Sequence, residues 1–362
     1  MKILPFQASY PNLEKVPHTD AFFETVKFQY QEYADEGMFD VAEQEALYIY
    51  RITDKDGNKK TGLVTCTDVH DYFNGNIKKH EKTIVNNESK QSELLLKRGA
   101  AIKPVLLIYP SVPAIDELIE KSLNALKKFY VITIDSEKHC FWQITDTETI
   151  AQFQQLFEEE VPTSYIADGH HRSATFAELN KKSPTVKTSK MLCAYFPEEE
   201  VVIKEYSRIV SDLNGMNSDD FLMQLTKLFK IKVLKRGEKP YTQFEYTMYL
   251  EGRWFAMYWR KSELKEFAKG LVLLDVHLLN EKILKPMFGV KNISTDPRVT
   301  YVDGNKTIEY IEKICPTEGV AFCLYPVEMD DLIEISDLGG IMPPKSTYFE
   351  PRMKNGLLVY EI

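Results

Sequence analysis

The most constraining feature of this chain is a β-hairpin pattern near its start. Residues 46–52, ALYIYRI, are rich in β-branched and aromatic residues, DKDGNKK supplies a turn, and TGLVTCTDV resumes the strand pattern. A hairpin joins antiparallel strands, whereas a doubly wound α/β sheet needs a helix between successive parallel strands. Because helix and strand patterns alternate after the hairpin, the sequence predicts an α+β fold.

A polar, turn-rich segment divides the chain into two parts. Residues 211–220 read SDLNGMNSDD, and helix and strand patterns lie on both sides of them. The chain has 362 residues, which is enough for two domains of ordinary size. We therefore expect a first domain over residues 1–213 and a second over residues 214–362, both of mixed helix and sheet.

The charge and the cysteine content exclude several classes of protein. The chain has 45 Lys and Arg against 54 Asp and Glu, and its net charge of −9 gives no general attraction to nucleic acid or to an anionic membrane. The five cysteines include no C-x-x-C pair, so neither a disulfide scaffold nor a zinc ribbon is indicated. The N-terminal residues contain no apolar run typical of a signal peptide or a membrane span, and we expect a cytoplasmic protein. Given the negative net charge, any phosphate site must depend on a local group of basic residues. The sequence does not determine the oligomeric state.

The most informative motif is YIADGHHR, residues 165–172, in which a strand pattern ends just before a helix pattern begins. A glycine permits a tight turn, and the first N–H groups of the next helix carry partial positive charge. An arginine offers a fork for phosphate oxygens, and a histidine can donate hydrogen bonds or move a proton near neutral pH. The motif therefore predicts an anion site formed by Asp168, Gly169, His170, His171 and Arg172.

The role of Asp168 is open at this stage. Its carboxylate is suited to holding a metal ion, orienting a histidine or accepting a proton. A transition-metal site competes with the phosphate interpretation, although the sequence offers no third and fourth ligand nearby. If the motif has only a structural role, Asp168 is a helix N-cap, Gly169 is a turn residue, and the histidines are surface or packing residues. Two adjacent histidines between an aspartate and an arginine favour the functional interpretation.

A second candidate is Glu81, which lies among lysines in KKHEKT, residues 78–83. A carboxylate near lysines stays ionised and is suited to act as a general base. A solvated, charge-balanced loop explains the same residues, and the composition favours that interpretation.

A third candidate is the run GGIMPPKSTYF, residues 339–349. It is not a Walker motif, because Pro343 and Pro344 lack N–H groups and the G-x-x-x-x-G-K-[ST] spacing is absent. Its composition favours a rigid turn. Lys345 and Ser346 are candidates to reach a site shared between the two parts of the chain.

Three segments, in this order, resemble those of a known family. TGLVTCTDVHDYFNGNIKKHEKT, YIADGHHRSATFAEL and MPPKSTYFEPRMKNGLLVYEI together resemble domain-of-unknown-function family 1015, a bacterial and archaeal family, over nearly the whole chain. Residues before about Ala46 are less typical of that family. The family is distantly similar to the ParB and sulfiredoxin superfamily, in which a comparable turn binds nucleotide phosphates. The archaeal free-serine kinases of that superfamily carry the same Asp-Gly-His-His-Arg string.

The resemblance implies a ParB/sulfiredoxin-like first lobe and a Mg-dependent phosphotransferase that uses ATP or ADP. Its substrate would be a small hydroxyl compound, with free serine as one candidate, and Glu81 would activate the acceptor hydroxyl. A nucleotide-responsive binding protein without turnover is the alternative. Sulfiredoxin chemistry is not implied, because the catalytic cysteine of that turn has no counterpart here. The complete prediction assigns catalysis to Glu81, Asp168 and His170, nucleotide binding to Gly169, His171, Arg172, Lys345 and Ser346, and metal binding to Asp168.

Overall fold

The structure is a computed structural model that describes residues 1–82, 95, 97–267 and 272–362. The chain divides into two compact units, Met1–Val202 with Pro351–Ile362, and Ile203–Glu350. Both units contain sheets and helices, so the predicted α+β class is confirmed. No helix within the described ranges has both the length and the apolar character needed to cross a membrane.

The first unit contains a large mixed sheet, a smaller sheet and flanking helices. Its strands, numbered in chain order, are β1 Ile3–Leu4, β2 Ala8–Pro11, β3 Phe39–Val41, β4 Leu47–Thr53, β5 Lys59–Asp68, β6 Ile77–Lys78, β7 Ala100–Ala101, β8 Val105–Tyr109, β9 Tyr130–Ile134, β10 Glu137–Ile144, β11 Ser164–Asp168, β12 Lys190–Pro197 and, after the second unit, β21 Val359–Glu361. Its helices are α1 Asp20–Asp35, α2 His70–Phe73, α3 Pro113–Ala125, α4 Thr147–Glu160 and α5 His170–Lys182, with a 3-10 turn at Glu198–Glu200.

The large sheet has the strand order β6-β11-β8-β12-β5-β4-β10-β9, with β1 paired to β5. The predicted hairpin is present as β4 and β5, which pair antiparallel from Tyr48 opposite Val64 to Thr53 opposite Lys59. Its turn is held by Asp54, whose carboxylate accepts hydrogen bonds from the backbone N–H groups of Asp56 and Asn58. An acidic side chain that accepts from the backbone two residues on is typical of tight turns, and this local chemistry explains why the sequence identifies the hairpin.

The second unit has its own six-stranded sheet, in the order β15-β17-β16-β19-β14-β18, and a two-stranded sheet of β13 and β20. The strands are β13 Val202–Lys204, β14 Tyr206–Val210, β15 Phe229–Leu234, β16 Glu245–Leu250, β17 Arg253–Trp259, β18 Val299–Asp303, β19 Val320–Cys323 and β20 Tyr348–Glu350. The helices are α6 Ser218–Leu228, α7 Lys261–Phe267, α8 Asp275–Leu279, α9 Lys285–Phe288, α10 Ile308–Ile314 and α11 Met329–Asp337, with a π-helical turn at Asn280–Leu284 between α8 and α9.

The division between the units differs from the predicted boundary at 213/214. Strand β14 pairs with β18 and β19, so the polar segment at 211–220 lies inside the second unit, as a loop and the start of α6, rather than as a linker. The last residues of the chain return to the first unit, because β21 pairs with β2 and β7. Turn-rich composition marks both loops and linkers, and only the strand pairing distinguishes them here.

A buried carboxylate in the second unit makes the stability of the protein depend on pH. Asp275 is 6% exposed, and its two carboxylate oxygens accept from Phe244 N at 3.0 and 3.1 Å. Burial raises the pKa of Asp275 to about 7, against the opposing effect of the Phe244 hydrogen bonds. The folded state therefore keeps a proton between about pH 4 and pH 7 that the unfolded state has lost, so this group lowers stability as the pH rises through that window.

We therefore expect Asp275→Asn to become more stable than the wild type as the pH rises. The difference in the free energy of unfolding should be small at pH 4 and on the order of 4 kcal/mol well above pH 7, where it levels off. Urea denaturation followed by tryptophan fluorescence measures it, since Trp254 and Trp259 both lie in this unit. A difference that stays constant from pH 4 to pH 8 would show that Asp275 is ionised in the fold.

Candidate functional site

The predicted motif lies where β11 ends and α5 begins. Strand β11 pairs with β8 antiparallel and with β6 parallel, and an irregularity in the β8 ladder separates Ile166 from Asp168. Helix α5 contacts β8 and buries Phe176 and Leu179, whose burial contributes about 2 kcal/mol for each side chain. The buried strand and the buried helix face thus fix the turn between them.

Gly169 is the N-cap of α5, and it makes no side-chain capping hydrogen bond. Its φ of 115° lies in the region that favours glycine, and a Cβ there would come within 2.8 Å of Arg172 Nη2. The guanidinium therefore lies against the Gly169 backbone, beside the N–H groups of the first helical turn. The interpretation of Asp168 as the N-cap is wrong, because that position belongs to Gly169.

Two cations hold Asp168. Arg172 Nη2 lies 3.0 Å and Lys103 Nζ 3.5 Å from Asp168 Oδ2. Lys103 reaches it because β8 runs antiparallel to β11 with Leu106 opposite Asp168, which places the residues before β8 beside the turn. Burial alone would raise the pKa of Asp168, but Arg172 and Lys103 hold that pKa well below its usual range. A carboxylate in this environment is a weak base, and its contacts favour a role in orienting Arg172.

A cavity of about 250 Å³ opens beside Arg172. Four of its lining residues are basic, namely Lys27, Arg98, Lys103 and Arg172. Four are apolar, namely Leu95, Ala101, Ile102 and Phe176, and the neutral polar residues are Thr175 and Asn355. In the described part of the chain no carboxylate lines this cavity. Lys103 is paired with Asp168 and Lys27 with Glu24, so the wall retains a net positive charge after pairing.

Two polar atoms at this wall are buried without a hydrogen-bond partner among the described residues. They are Arg172 Nε and the hydroxyl oxygen of Thr175, whose residue is 3% exposed. Leaving such groups unpaired costs about 1–3 kcal/mol each, which a ligand with acceptor oxygens would recover. Arg98 is anchored nearby, since its Nε donates to Ala100 O at 2.7 Å and its Nη1 to Lys27 O at 3.0 Å.

A second group of side chains surrounds His170 at the same turn. The parallel pairing of β6 with β11 places the residues that follow β6 beside the end of β11. His170 Nδ1 lies 3.4 Å from Glu81 Oε2, and His80 N donates to His170 Nε2 at 3.4 Å. The two imidazole rings are 4.4 Å apart, centroid to centroid, at 74°.

The protonation of this group follows from burial. Desolvation lowers the pKa of His80 to about 3, and desolvation with the neighbouring His80 lowers the pKa of His170 well below its ordinary value. Both imidazoles are therefore neutral at pH 7. Because Nε2 of His170 accepts from His80 N, the proton of His170 is on Nδ1, which donates toward the Glu81 carboxylate. One ring nitrogen of each histidine and one Glu81 oxygen all lie within 4.8 Å of one another.

The structure brings Glu81, Asp168, Gly169, His170 and Arg172 together at one turn. His171 is half-buried there, and its Nδ1 has no hydrogen-bond partner in the described ranges. Lys345 and Ser346 belong to the second unit, where Lys345 O accepts from Arg208 Nη2 at 2.7 Å and Ser346 Oγ donates to Pro343 O at 2.5 Å. Their part in nucleotide binding stays a prediction.

Several residues of the site escaped the sequence reasoning: Lys27, His80, Arg98, Lys103, Thr175 and Asn355. Three of them carried a usable signal. His80 precedes Glu81 directly, Thr175 lies one turn beyond Arg172 on the same helix, and Asn355 lies inside the C-terminal motif. Lys27 and Arg98 are ordinary basic residues of a helix and a turn, and nothing in their neighbours marks them.

Comparisons with known proteins identify a family. The family described as protein of unknown function (DUF1015) matches residues 7–277. No curated protein matches the sequence.

Several solved structures resemble the fold. SbnI with a C-terminal truncation from Staphylococcus aureus is 11% identical, with a TM-score of 0.42, over 81% of this chain and 85% of that chain. A free serine kinase mutant in complex with ADP is 13% identical, with a TM-score of 0.38, over 82% of this chain and 92% of that chain. A conserved hypothetical protein from Pyrococcus furiosus is 14% identical, with a TM-score of 0.33, over 81% of this chain and 94% of that chain.

Proposed function

The chain belongs to the DUF1015 family, and we propose that it binds a nucleotide through its phosphate groups and transfers a phosphoryl group to a small hydroxyl compound. The observation that carries this proposal is the basic cavity at the start of α5, with Arg172 and Lys103 at its wall. ATP or ADP is the proposed donor. Free serine is the first acceptor to test, because the Asp-Gly-His-His-Arg string of residues 168–172 resembles that of the free-serine kinases and the resemblance implies that substrate.

The lining of the cavity supports a nucleotide better than a bare anion. Cationic side chains and the first turn of α5, whose N-cap is a glycine, suit phosphate oxygens. The apolar side chains of Leu95, Ile102 and Phe176 offer a surface for a flat ring on the same wall. A volume of about 250 Å³ lies just below the range of about 300–1,000 Å³ for small-molecule sites. A ligand that is polar at one end and apolar at the other would satisfy both parts of the lining.

The transfer changes two bonds at the terminal phosphorus, and this chain supplies charge stabilisation and a proton acceptor. The hydroxyl oxygen of the acceptor forms a bond to the terminal phosphorus, the bond from that phosphorus to the bridging oxygen breaks, and the shortened nucleotide leaves. Arg172 and the helix N–H groups stabilise the charge on the phosphoryl oxygens. The proton of the hydroxyl passes to the Glu81 carboxylate, which the neutral His170 orients from 3.4 Å.

Asp168 holds Arg172 in place for this step. Its carboxylate fixes one edge of the guanidinium through Nη2, and Nε, which has no partner among the described residues, faces the ligand in this proposal. The same contacts fit Mg²⁺ poorly, because Arg172 and Lys103 repel a further cation and both lie at Oδ2 of the carboxylate. We therefore assign no step to Mg²⁺ at Asp168.

A thermal-shift panel of ATP, ADP, AMP and CTP, with and without Mg²⁺, tests the binding. A nucleotide at about 100 times its Kd stabilises the folded state by about 2.7 kcal/mol, which is a rise of several degrees in Tm. Phosphorus NMR with serine present then tests the transfer. A phosphoserine signal supports the enzyme, binding without product supports a nucleotide-responsive protein, and a panel without any shift would overturn the proposal.

A further inference from the structure

The group around His170 has a second property that phosphoryl transfer does not need. Two imidazoles and one carboxylate, from segments that are 90 residues apart in the chain, bring three donor atoms within 4.8 Å of one another. His80 is fully buried and His170 is 4% exposed, whereas the Glu81 side chain is 43% exposed. The donor atoms therefore lie at the inner end of a site that solvent reaches from the Glu81 side.

We propose that His80, Glu81 and His170 form a binding site for a divalent transition-metal ion such as Zn²⁺. Two histidines with one carboxylate are a common ligand set for zinc sites that leave a coordination position open. Imidazole nitrogen suits Zn²⁺, Co²⁺ and Ni²⁺, whereas Mg²⁺ prefers an oxygen shell with several waters. The chemistry of the three donors thus selects a transition metal over Mg²⁺.

Two of the present contacts within this cluster oppose metal binding only weakly. The distances from His80 N to His170 Nε2 and from His170 Nδ1 to Glu81 Oε2 are both 3.4 Å, near the limit of a hydrogen bond. The carboxylate balances part of the charge of the ion.

A bound metal also has a consequence for phosphoryl transfer. This consequence, unlike the metal site itself, rests on the proposed function. The ion would occupy the Glu81 carboxylate that accepts the proton of the hydroxyl. It would leave the cavity lining at Arg172 and Lys103 unchanged. A transition metal is therefore expected to inhibit phosphoryl transfer while nucleotide binding continues.

The test is a titration of the chelator-treated protein with Zn²⁺, Co²⁺ or Mg²⁺ alone, without nucleotide. We expect one equivalent of Zn²⁺ to bind in calorimetry, Co²⁺ to develop the visible absorption of a site with nitrogen ligands, and Mg²⁺ to give no binding heat. Glu81→Gln should weaken Zn²⁺ binding by at least about 10- to 100-fold, since that is the loss expected when only a residue that orients a ligand is removed. His80→Ala should do the same, with circular dichroism to check that the buried site still folds.

His70→Ala is the matched control. His70 is an exposed histidine paired with Asp68 at 2.7 Å, outside the proposed site, and its replacement should leave the Zn²⁺ affinity unchanged. Absence of stoichiometric Zn²⁺ binding, or binding that Glu81→Gln and His80→Ala leave intact, would overturn the proposal. Because the titration contains no nucleotide, its result is independent of whether the protein transfers phosphate.

Discussion

Replacing Arg172 by alanine is expected to abolish nucleotide binding. The guanidinium lies against the Gly169 backbone at the cavity wall, and its Nε has no partner among the described residues. A charge-assisted hydrogen bond contributes about 1.5–3 kcal/mol, so losing two of them would weaken ADP binding by at least about 100-fold. Isothermal titration of ADP into the wild type and the variant measures the change.

Two further variants separate the fork of Arg172 from its charge. Arg172→Lys keeps the charge but loses the planar pair of donors, so its ADP affinity should fall between those of the wild type and the alanine variant. Lys182→Ala removes one positive charge from the exposed end of the same helix, where Lys182 pairs with Glu178, and should bind ADP normally. Equal ADP affinity in Arg172→Ala and Lys182→Ala would remove Arg172 from the site.

The turn that carries Arg172 could be predicted because its determinants are local. The buried strand before Asp168, the glycine at 169 and the helix formers after it all lie within one short segment. Periodicity and turn chemistry act over this distance. This segment is also one of the three on which the family resemblance depends, and the match over residues 7–277 confirms the family.

The rest of the cavity could not be predicted, because distant segments form it. Lys27 comes from α1, Arg98 from the turn before β7, and Asn355 from the C-terminal segment. The sequence predicted that segment to be in the second domain, yet the pairing of β21 with β2 and β7 returns it to the first unit. Strand pairing over such separations leaves no periodic trace in the sequence.

His80 shows a different failure of local reasoning. The charges of KKHEKT favour a solvated loop, but the structure buries His80 completely and packs its ring against that of His170. The solvated interpretation is wrong for this residue. Burying a neutral imidazole costs much less desolvation free energy than burying a charged side chain. A histidine within a charged run is therefore a weak indicator of exposure.

The neutrality of both histidines makes Glu81 the most sensitive test of turnover. Glu81→Gln keeps the shape of the side chain and an oxygen that can accept from His170, but the amide cannot take a proton. Loss of a general base lowers kcat by about 100- to 10,000-fold. ADP affinity should stay within about twofold of the wild type, because Glu81 does not line the cavity.

A surface variant and a paired measurement make this result decisive. Glu178→Gln also removes one negative charge, from an exposed pair on α5, and should transfer phosphate at the wild-type rate. Both kcat and the ADP Kd have to be measured for each variant, since a parallel loss of binding would make Glu81 a nucleotide ligand instead of the base. A wild-type kcat in Glu81→Gln would mean that the proton leaves by another route. With Asp168 held by two cations, that route would then lead through solvent rather than through a second carboxylate of this turn.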